Sequence, residues 1–150
     1  MELGKYKHSD CEMLAKLFHQ TVHTVNAKDY TEDQSNAWSS GSVNLREWDK
    51  SFAENQTIIA VENGVIIGFG DMDESAYLNR LYVHKSHQGR GIASAICDEL
   101  ERSARGKRIT VHASVTAKPF FRHRGYYVIR KQEVIRRGIA LTNYIMKKEV

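Results

Sequence analysis

The stretch Leu81–Ala95, LYVHKSHQGRGIASA, constrains this chain more than any other. A β-prone run, YLNRLYV (Tyr77–Val83), leads into a polar connection with two glycines, Gly89 and Gly91. A helical pattern over residues 91–104 follows, with Ile92, Ala93, Ile96, Cys97 and Leu100 on one face. RITVHA (Arg108–Ala113) then alternates as a strand does. Strand, helix and strand in that order need a parallel crossover, so the chain must build a sheet with at least one parallel pair and a helix on its face.

The rest of the sequence fills in that sheet. A short strand, Leu3–Lys7, opens the chain. Ser9 and Glu12 form an S-x-x-E capping box ahead of a helix over residues 10–25, with Met13, Leu14, Leu17, Phe18 and Val22 at helical spacing. Thr31 and Gln34 repeat the box before a short helix ending near Trp38. Asn44 caps a third helix carrying Leu45, Trp48 and Phe52. The dipeptide Asn63-Gly64 between TIIAVE (Thr57–Glu62) and VIIGFG (Val65–Gly70) is a type I′ hairpin signal. Asp71–Ser75 reads as a polar loop. Thr116–Arg124 is a short helix with Gly125 as its C′ residue. Two strands, Tyr126–Ile135 and Ile139–Lys147, flank a turn at Arg136-Arg137-Gly138. The predicted order is βααα-βββ-α-β-α-ββ, a mixed α/β (α+β) fold with a central sheet of about seven strands and helices on its faces. No linker, repeat or composition break divides residues 1–150, so one domain is expected.

Glycines at 89 and 91 permit left-handed backbone angles and bring N–H groups close to a bulky anion at a helix N-terminus. Gln88, Arg90 and Ser94 offer further donors. The loop is not a Walker motif, since no G-K-[ST] follows, and Ser94 stands where the dinucleotide fingerprint needs its third glycine. On this loop alone, a ligand-free turn and a phosphate cradle remain open.

A second block decides between them. Q-G-R-G-I-A (Gln88–Ala93) resembles the Q/R-x-x-G-x-G/A signature of the GCN5-related N-acetyltransferases (GNAT). AKPFFRHRGY (Ala117–Tyr126) resembles that family's A-x-x-F-Y-x-x-x-G-F segment. Nearly the whole chain is similar to the YafP-type branch, through Tyr30–Trp38, Thr116–Phe121, Arg137-Gly138 and Thr142-Asn143-Tyr144. The resemblance implies an acetyl-CoA-dependent N-acetyltransferase that moves an acetyl group directly to an amine. It implies a V-shaped slot between Tyr77–Val83 and Arg108–Ala113. There the backbone of Leu81 and Val83, with Tyr82 between them, meets the pantetheine arm, an N–H near Val83 polarises the thioester, and Gln88, Gly89, Arg90, Gly91, Ile92, Ala93 and Ser94 hold the pyrophosphate. Phe120 belongs to the same cofactor half. The donor is acetyl-CoA, and no metal is expected.

The family's usual acid is the tyrosine of F-Y. Here that position is Phe121, and Ser114 stands where an asparagine is common. Tyr144 on the last strand is the candidate substitute acid, against its reading as a packed aromatic. Glu74, through a water, is the candidate base, against a solvated acidic loop. Tyr77 and Asn79 share a strand face by period two and are expected to line the acceptor site. His112 is a further candidate base. Tyr30, Trp38 and Trp48 either wall the amine pocket or pack two helices together. His19 and His23 are four residues apart, but no third ligand accompanies them, so a polar helix face is the better reading.

Composition narrows the partners. A net charge of +4 suits a polyanionic small ligand or an ordinary solvated surface. The basic residues are dispersed and lack a nucleic-acid-binding motif, which argues against nucleic acid. No apolar run approaches the ~20 residues needed to span a bilayer, and the N-terminus has no signal-peptide core. Cys11 and Cys97 fit no ligand spacing, which agrees with a cytoplasmic protein. The expected partner is a small-molecule or peptide amine, and a homodimer is compatible with all of this. The alternatives are acyl transfer to a hydroxyl or thiol, and a non-catalytic acyl-CoA sensor.

Overall fold

Two tight turns set the hairpins of the sheet. Asn63 and Gly64 take φ of 51° and 78°, and Arg137 and Gly138 repeat the same pair of values. Positive φ at both central residues matches the right-handed twist of flanking strands. In the computed structural model, which covers all 150 residues, the strands are β1 (Glu2–Lys5), β2 (Gln56–Glu62), β3 (Val65–Met72), β4 (Tyr77–Val83), β5 (Arg108–Ser114), β6 (Tyr127–Arg136) and β7 (Ile139–Glu149). The helices are α1 (Cys11–Thr24), α2 (Glu32–Trp38), α3 (Leu45–Glu54), α4 (Ile92–Ser103) and α5 (Lys118–His123). The seven strands lie in the order β1-β2-β3-β4-β5-β7-β6, antiparallel except for β4 beside β5. No helix is long and apolar enough to cross a membrane.

The sheet buries both faces. Ile96, Cys97 and Leu100 of α4 and Phe121 of α5 pack on one side with Leu78, Val83, Ile109, Val111 and Met146. Leu14, Leu17, Phe18 and Val22 of α1 pack on the other with Phe52 of α3 and Ile59 and Phe69 of the sheet. Seating α4 requires glycine in β3. A Cβ on Gly70 would come within 2.8 Å of Ile96 Cγ2 and 3.2 Å of the Arg80 carbonyl oxygen.

Local signals held at two helix starts and failed at a third. Thr31 Oγ1 accepts from Gln34 N–H at 3.1 Å while Gln34 Oε1 accepts from Thr31 N–H at 2.9 Å, a complete box. Asn44 Oδ1 accepts from Glu47 N–H at 3.1 Å. At α1, the expected Ser9–Glu12 box gives way to a 3₁₀ turn over His8–Asp10, in which the Asp10 carboxylate accepts from Lys7 N–H at 3.0 Å. Met13 and Leu45, expected on buried helix faces, are exposed.

Asp71 is the larger departure. It lies inside β3, fully buried, instead of in a loop. Arg80 explains this: its Nε and Nη2 donate to the two Asp71 oxygens at 3.0 and 2.7 Å, and Asn55 Nδ2 donates to Asp71 Oδ2 at 2.9 Å. A buried carboxylate is tolerable only when its lone pairs are matched in this way.

Candidate active site

The loop before α4 is held open by backbone conformation. Gly89 and Gly91 take φ of 72° and 79°. Nothing lies within 4 Å of a Cβ built on either, so left-handed geometry demands glycine there, not crowding. The first intrahelical bond of α4 runs from Ala95 N–H to Gly91 O at 3.0 Å. The N–H groups of Ile92, Ala93 and Ser94 therefore lack helical acceptors and carry the positive end of the helix dipole. Ile92 is buried and anchors this turn.

Two of the expected side-chain donors are occupied elsewhere. Gln88 Nε2 donates to the Val83 carbonyl at 2.6 Å. Arg90 pairs with Glu62 at 3.2 Å, whose other oxygen lies 3.3 Å from His87 Nε2. Gln88 and Arg90 thus brace the loop against β4 and β2, which leaves the backbone N–H groups and the Ser94 hydroxyl as its free donors.

The slot begins where two strands part. β4 and β5 pair only at Tyr77–Thr110 and Leu78–Val111. Asn79 has no partner in the β3–β4 register, which passes from Met72–Leu78 to Asp71–Arg80. That bulge turns β4 away from β5. Because His84 N–H donates to Ile67 O at 2.8 Å, period two directs the backbone of Leu81 and Val83 away from β3, into the gap. Ala93, Val111, Ala117 and Phe120 add apolar walls. The Tyr82 ring turns to the opposite face, 5.1 Å from Phe18 and 5.7 Å from Phe69 between ring centres. Burial pushes its hydroxyl pKa up, against a weaker opposing bond from Trp38.

Ser114 closes the slot at the mouth of β5. Its Oγ accepts from Ala117 N–H at 3.0 Å and from Asn26 Nδ2 at 3.4 Å, which leaves its own hydrogen free to donate. Phe121, at the position of the family tyrosine, is buried in the core. Tyr126, after Gly125, is buried too. Its hydroxyl donates to Glu101 Oε2 at 3.2 Å, and Arg124 and Lys148 hold the same carboxylate at 2.9 and 2.7 Å. The second sequence block is therefore a clamp that fixes α5 and β7 to α4.

Beyond the slot, on the α1–α3 side, lies a hollow. Tyr77, Asn79, His112 and Ser114 line it from the strands, and Tyr30, Trp38 and Trp48 from the helical half. The bulge breaks period two between Tyr77 and Asn79, yet both reach this hollow. Tyr30 is also structural: its hydroxyl donates to Thr142 O at 2.7 Å and accepts from Val115 N–H at 2.9 Å. Trp48 packs against Phe18 and lies under the Arg80 guanidinium at 4.9 Å. The aromatic residues act as pocket wall and as packing at once. His112 stands edge-on to Tyr77, 5.1 Å between ring centres, and partial burial with the nearby Arg130 charge lowers its pKa.

Two expected catalytic residues are not brought here. Glu74 lies in the turn before β4, beside Lys107 and Ser103, at an end of the sheet that neither slot nor hollow reaches. Asp73 sets that turn, its Oδ1 accepting from Ser75 N–H and Tyr77 N–H at 2.9 and 3.0 Å. Tyr144 pairs with Ala113 and so shares its face, toward α5. There the Lys118 ammonium covers its ring at 4.0 Å, and it lines neither cavity. His19 and His23 meet Ser39 instead, His19 Nδ1 at its Oγ and His23 Nε2 at its carbonyl, both 2.7 Å.

Arg80, Asn143 and Arg136 also line the hollow, without a sequence signal for that role, and Asp71 backs Arg80 from β3. Asp71 and Arg80 are nine positions apart across a turn, with no local pattern linking them.

The chain matches the Acetyltransferase (GNAT) domain over residues 26–148. It is 31% identical over 147 residues to the N-acetyltransferase YafP of Escherichia coli K12, covering 98% of this chain and 95% of that protein. Among solved structures, a GCN5-related N-acetyltransferase from Rhodopseudomonas palustris superposes with a TM-score of 0.94 at 32% identity, over 99% of this chain and 95% of that one. PaiA N-acetyltransferase from Thermoplasma acidophilum, solved with coenzyme A, shares the fold at a TM-score of 0.78 and 16% identity, over 99% and 98% of the two chains. A strand pair that parts at a bulge, a left-handed glycine loop at a helix start and a match over almost the whole chain have one common explanation: this protein belongs to the GNAT family of acetyltransferases.

Proposed function

We propose that residues 1–150 form one catalytic domain that transfers an acetyl group from acetyl-CoA to an amine held in the hollow. The observation that carries this reading is the parting of β4 and β5 after Leu78 and Val111, directly below the glycine loop. It leaves strand-edge backbone groups beside a groove that runs to Gln88 and Ala93 at the start of α4. A pantetheine amide matches the strand edge and a pyrophosphate the helix N–H groups. Coenzyme A bound to the neighbour PaiA supports the same assignment.

When bound, acetyl-CoA supplies an activated thioester. The chain's own residues have four tasks. Leu81 extends the sheet onto the pantetheine arm, since Gln88 Nε2 already holds the Val83 carbonyl. The backbone N–H groups from Gly89 to Ser94 hold the pyrophosphate. Val83 N–H, aimed into the gap, stabilises negative charge on the reacting carbonyl oxygen. His112, neutral at pH 7, accepts the proton that the amine releases as its nitrogen bonds to the acetyl carbon. As the carbon–sulfur bond breaks, the departing thiolate takes a proton from solvent, steadied by the free hydroxyl hydrogen of Ser114. The buried Phe121 leaves no tyrosine for that task, and a thiolate is a fair leaving group without one.

Isothermal titration with acetyl-CoA, followed by thiol release over a panel of amines, tests the reading. Micromolar binding and amine-dependent thiol release are expected. Absence of binding refutes it. Binding without turnover of any amine, alcohol or thiol would instead establish an acyl-CoA sensor.

A further inference from the structure

The charges around the hollow narrow the acceptor, on the acetyltransferase reading above. We infer that the acceptor carries a carboxylate beside its amine, on a flat and apolar skeleton. Arg80 and Arg136 both line the hollow, and no aspartate or glutamate does. Arg80 is already matched by the bidentate Asp71 behind it. Arg136 has no carboxylate partner. Its one hydrogen bond, at 3.3 Å, goes to the carbonyl of the adjacent Ile135. Its charge reaches inward to Tyr77, where it opposes the upward push of burial and of the Asp73 carboxylate on the hydroxyl pKa. A polycation or lysine-rich peptide would bring further positive charge against this arginine with nothing to offset it.

Aromatic rings can attract cations, so that reading must be weighed. Of the rings that line the hollow, Trp48 already holds a cation. Arg80 itself lies over Phe52 at 4.1 Å and over Trp48 at 4.9 Å. The rings left to a ligand, Tyr30, Trp38, Tyr77 and Tyr82, offer apolar area that suits a planar body. Asn143 Oδ1 supplies the complementary feature for the amine: it is buried, lines the hollow and has no hydrogen-bond partner. An N–H donor from the acceptor would satisfy it.

Three probes that share one ring and one amine separate the terms: phenylalanine, phenylalaninamide and phenethylamine. In acetyl-CoA-dependent thiol release, phenylalanine is expected to show kcat/KM at least about tenfold above both others, since a charge-assisted bond to arginine is lost in each. Arg136→Gln is expected to bring the three within about twofold of one another while acetyl-CoA affinity stays unchanged. Equal or better use of phenethylamine or the amide by the native protein overturns the inference, as does a preference that survives Arg136→Gln. If none of the three is acetylated, quenching of Trp38 and Trp48 fluorescence by 3-phenylpropionate and by phenethylamine decides. Saturable quenching by the carboxylate alone, lost in Arg136→Gln, upholds it, and any other pattern refutes it. A failure of acetyl-CoA binding would refute the enzyme reading and leave this fluorescence result standing by itself.

Discussion

The two faces of the sheet around the β4–β5 gap are built on different principles. On the α4 side, the slot depends on backbone: left-handed glycines, strand edges without partners and a helix N-terminus. On the α1–α3 side, the hollow depends on side chains from seven elements distant in sequence, held by the Asp71–Arg80 pair and a cluster of rings. A backbone site recognises a constant ligand through groups that every residue possesses, so few positions are constrained. A side-chain site can change its ligand by single substitutions while the sheet beneath stays intact. One fold can therefore keep its donor and vary its acceptor.

The largest expected effect breaks the hollow and spares the slot. Asp71→Ala leaves Arg80 buried without a counter-charge and should cost about 3–5 kcal/mol of stability in urea unfolding. Replacing both partners, Asp71→Leu with Arg80→Met, should recover most of it. If the single variant loses less than about 1 kcal/mol, the pair is not what holds the hollow.

Gly91→Glu attacks the slot alone. A carboxylate beside the helix N-terminus and a side chain at positive φ should weaken acetyl-CoA binding about 100-fold, roughly 2.7 kcal/mol by titration, with the far-UV circular dichroism unchanged. Retained affinity would remove the loop from the cofactor site. Gly70→Ala tests how closely α4 must seat on β3, and overpacking against Ile96 and the Arg80 carbonyl should cost about 1–3 kcal/mol.

Smaller effects sharpen the chemistry. The pKa of His112 lies below its ordinary value, so the ring stays neutral through pH 7. The acid limb of kcat/KM should therefore fall below about pH 6.5, and His112→Gln should abolish that limb. By linkage, the unfolded chain takes up this proton first. The contribution of the neutral ring to stability is thus present above about pH 6.5 and declines as pH falls toward the folded-state value. Tyr144→Phe should change kcat less than about twofold and stability less than about 0.5 kcal/mol. A tenfold loss of kcat would restore Tyr144 as the acid.

Much of the fold could be read directly, because its signals are local. Asn63-Gly64, the Thr31–Gln34 box, the apolar period of α4 and Gly125 each depend on neighbours within about four residues, where backbone sterics and capping act. The glycine loop was readable for the same reason, since positive φ is a property of one residue. At α1 the chain makes a 3₁₀ turn over His8–Asp10 in place of the Ser9–Glu12 box, with the Asp10 carboxylate accepting from Lys7 N–H one turn earlier.

The acceptor side was not readable in this way. Glu74 stands three residues from Tyr77 and Tyr144 lies directly across from Ala113, yet a turn and a strand face direct both away from the hollow. Asp71 looked like the start of a loop because its partner sits on the next strand, and only a formed hairpin brings the two together. By itself the sequence determined the element order, the left-handed glycine loop and the family, all encoded in short-range conformational preference. Tertiary structure alone decided which side chains meet in the hollow and what charge they present, because burial and electrostatic pairing are properties of neighbours in space.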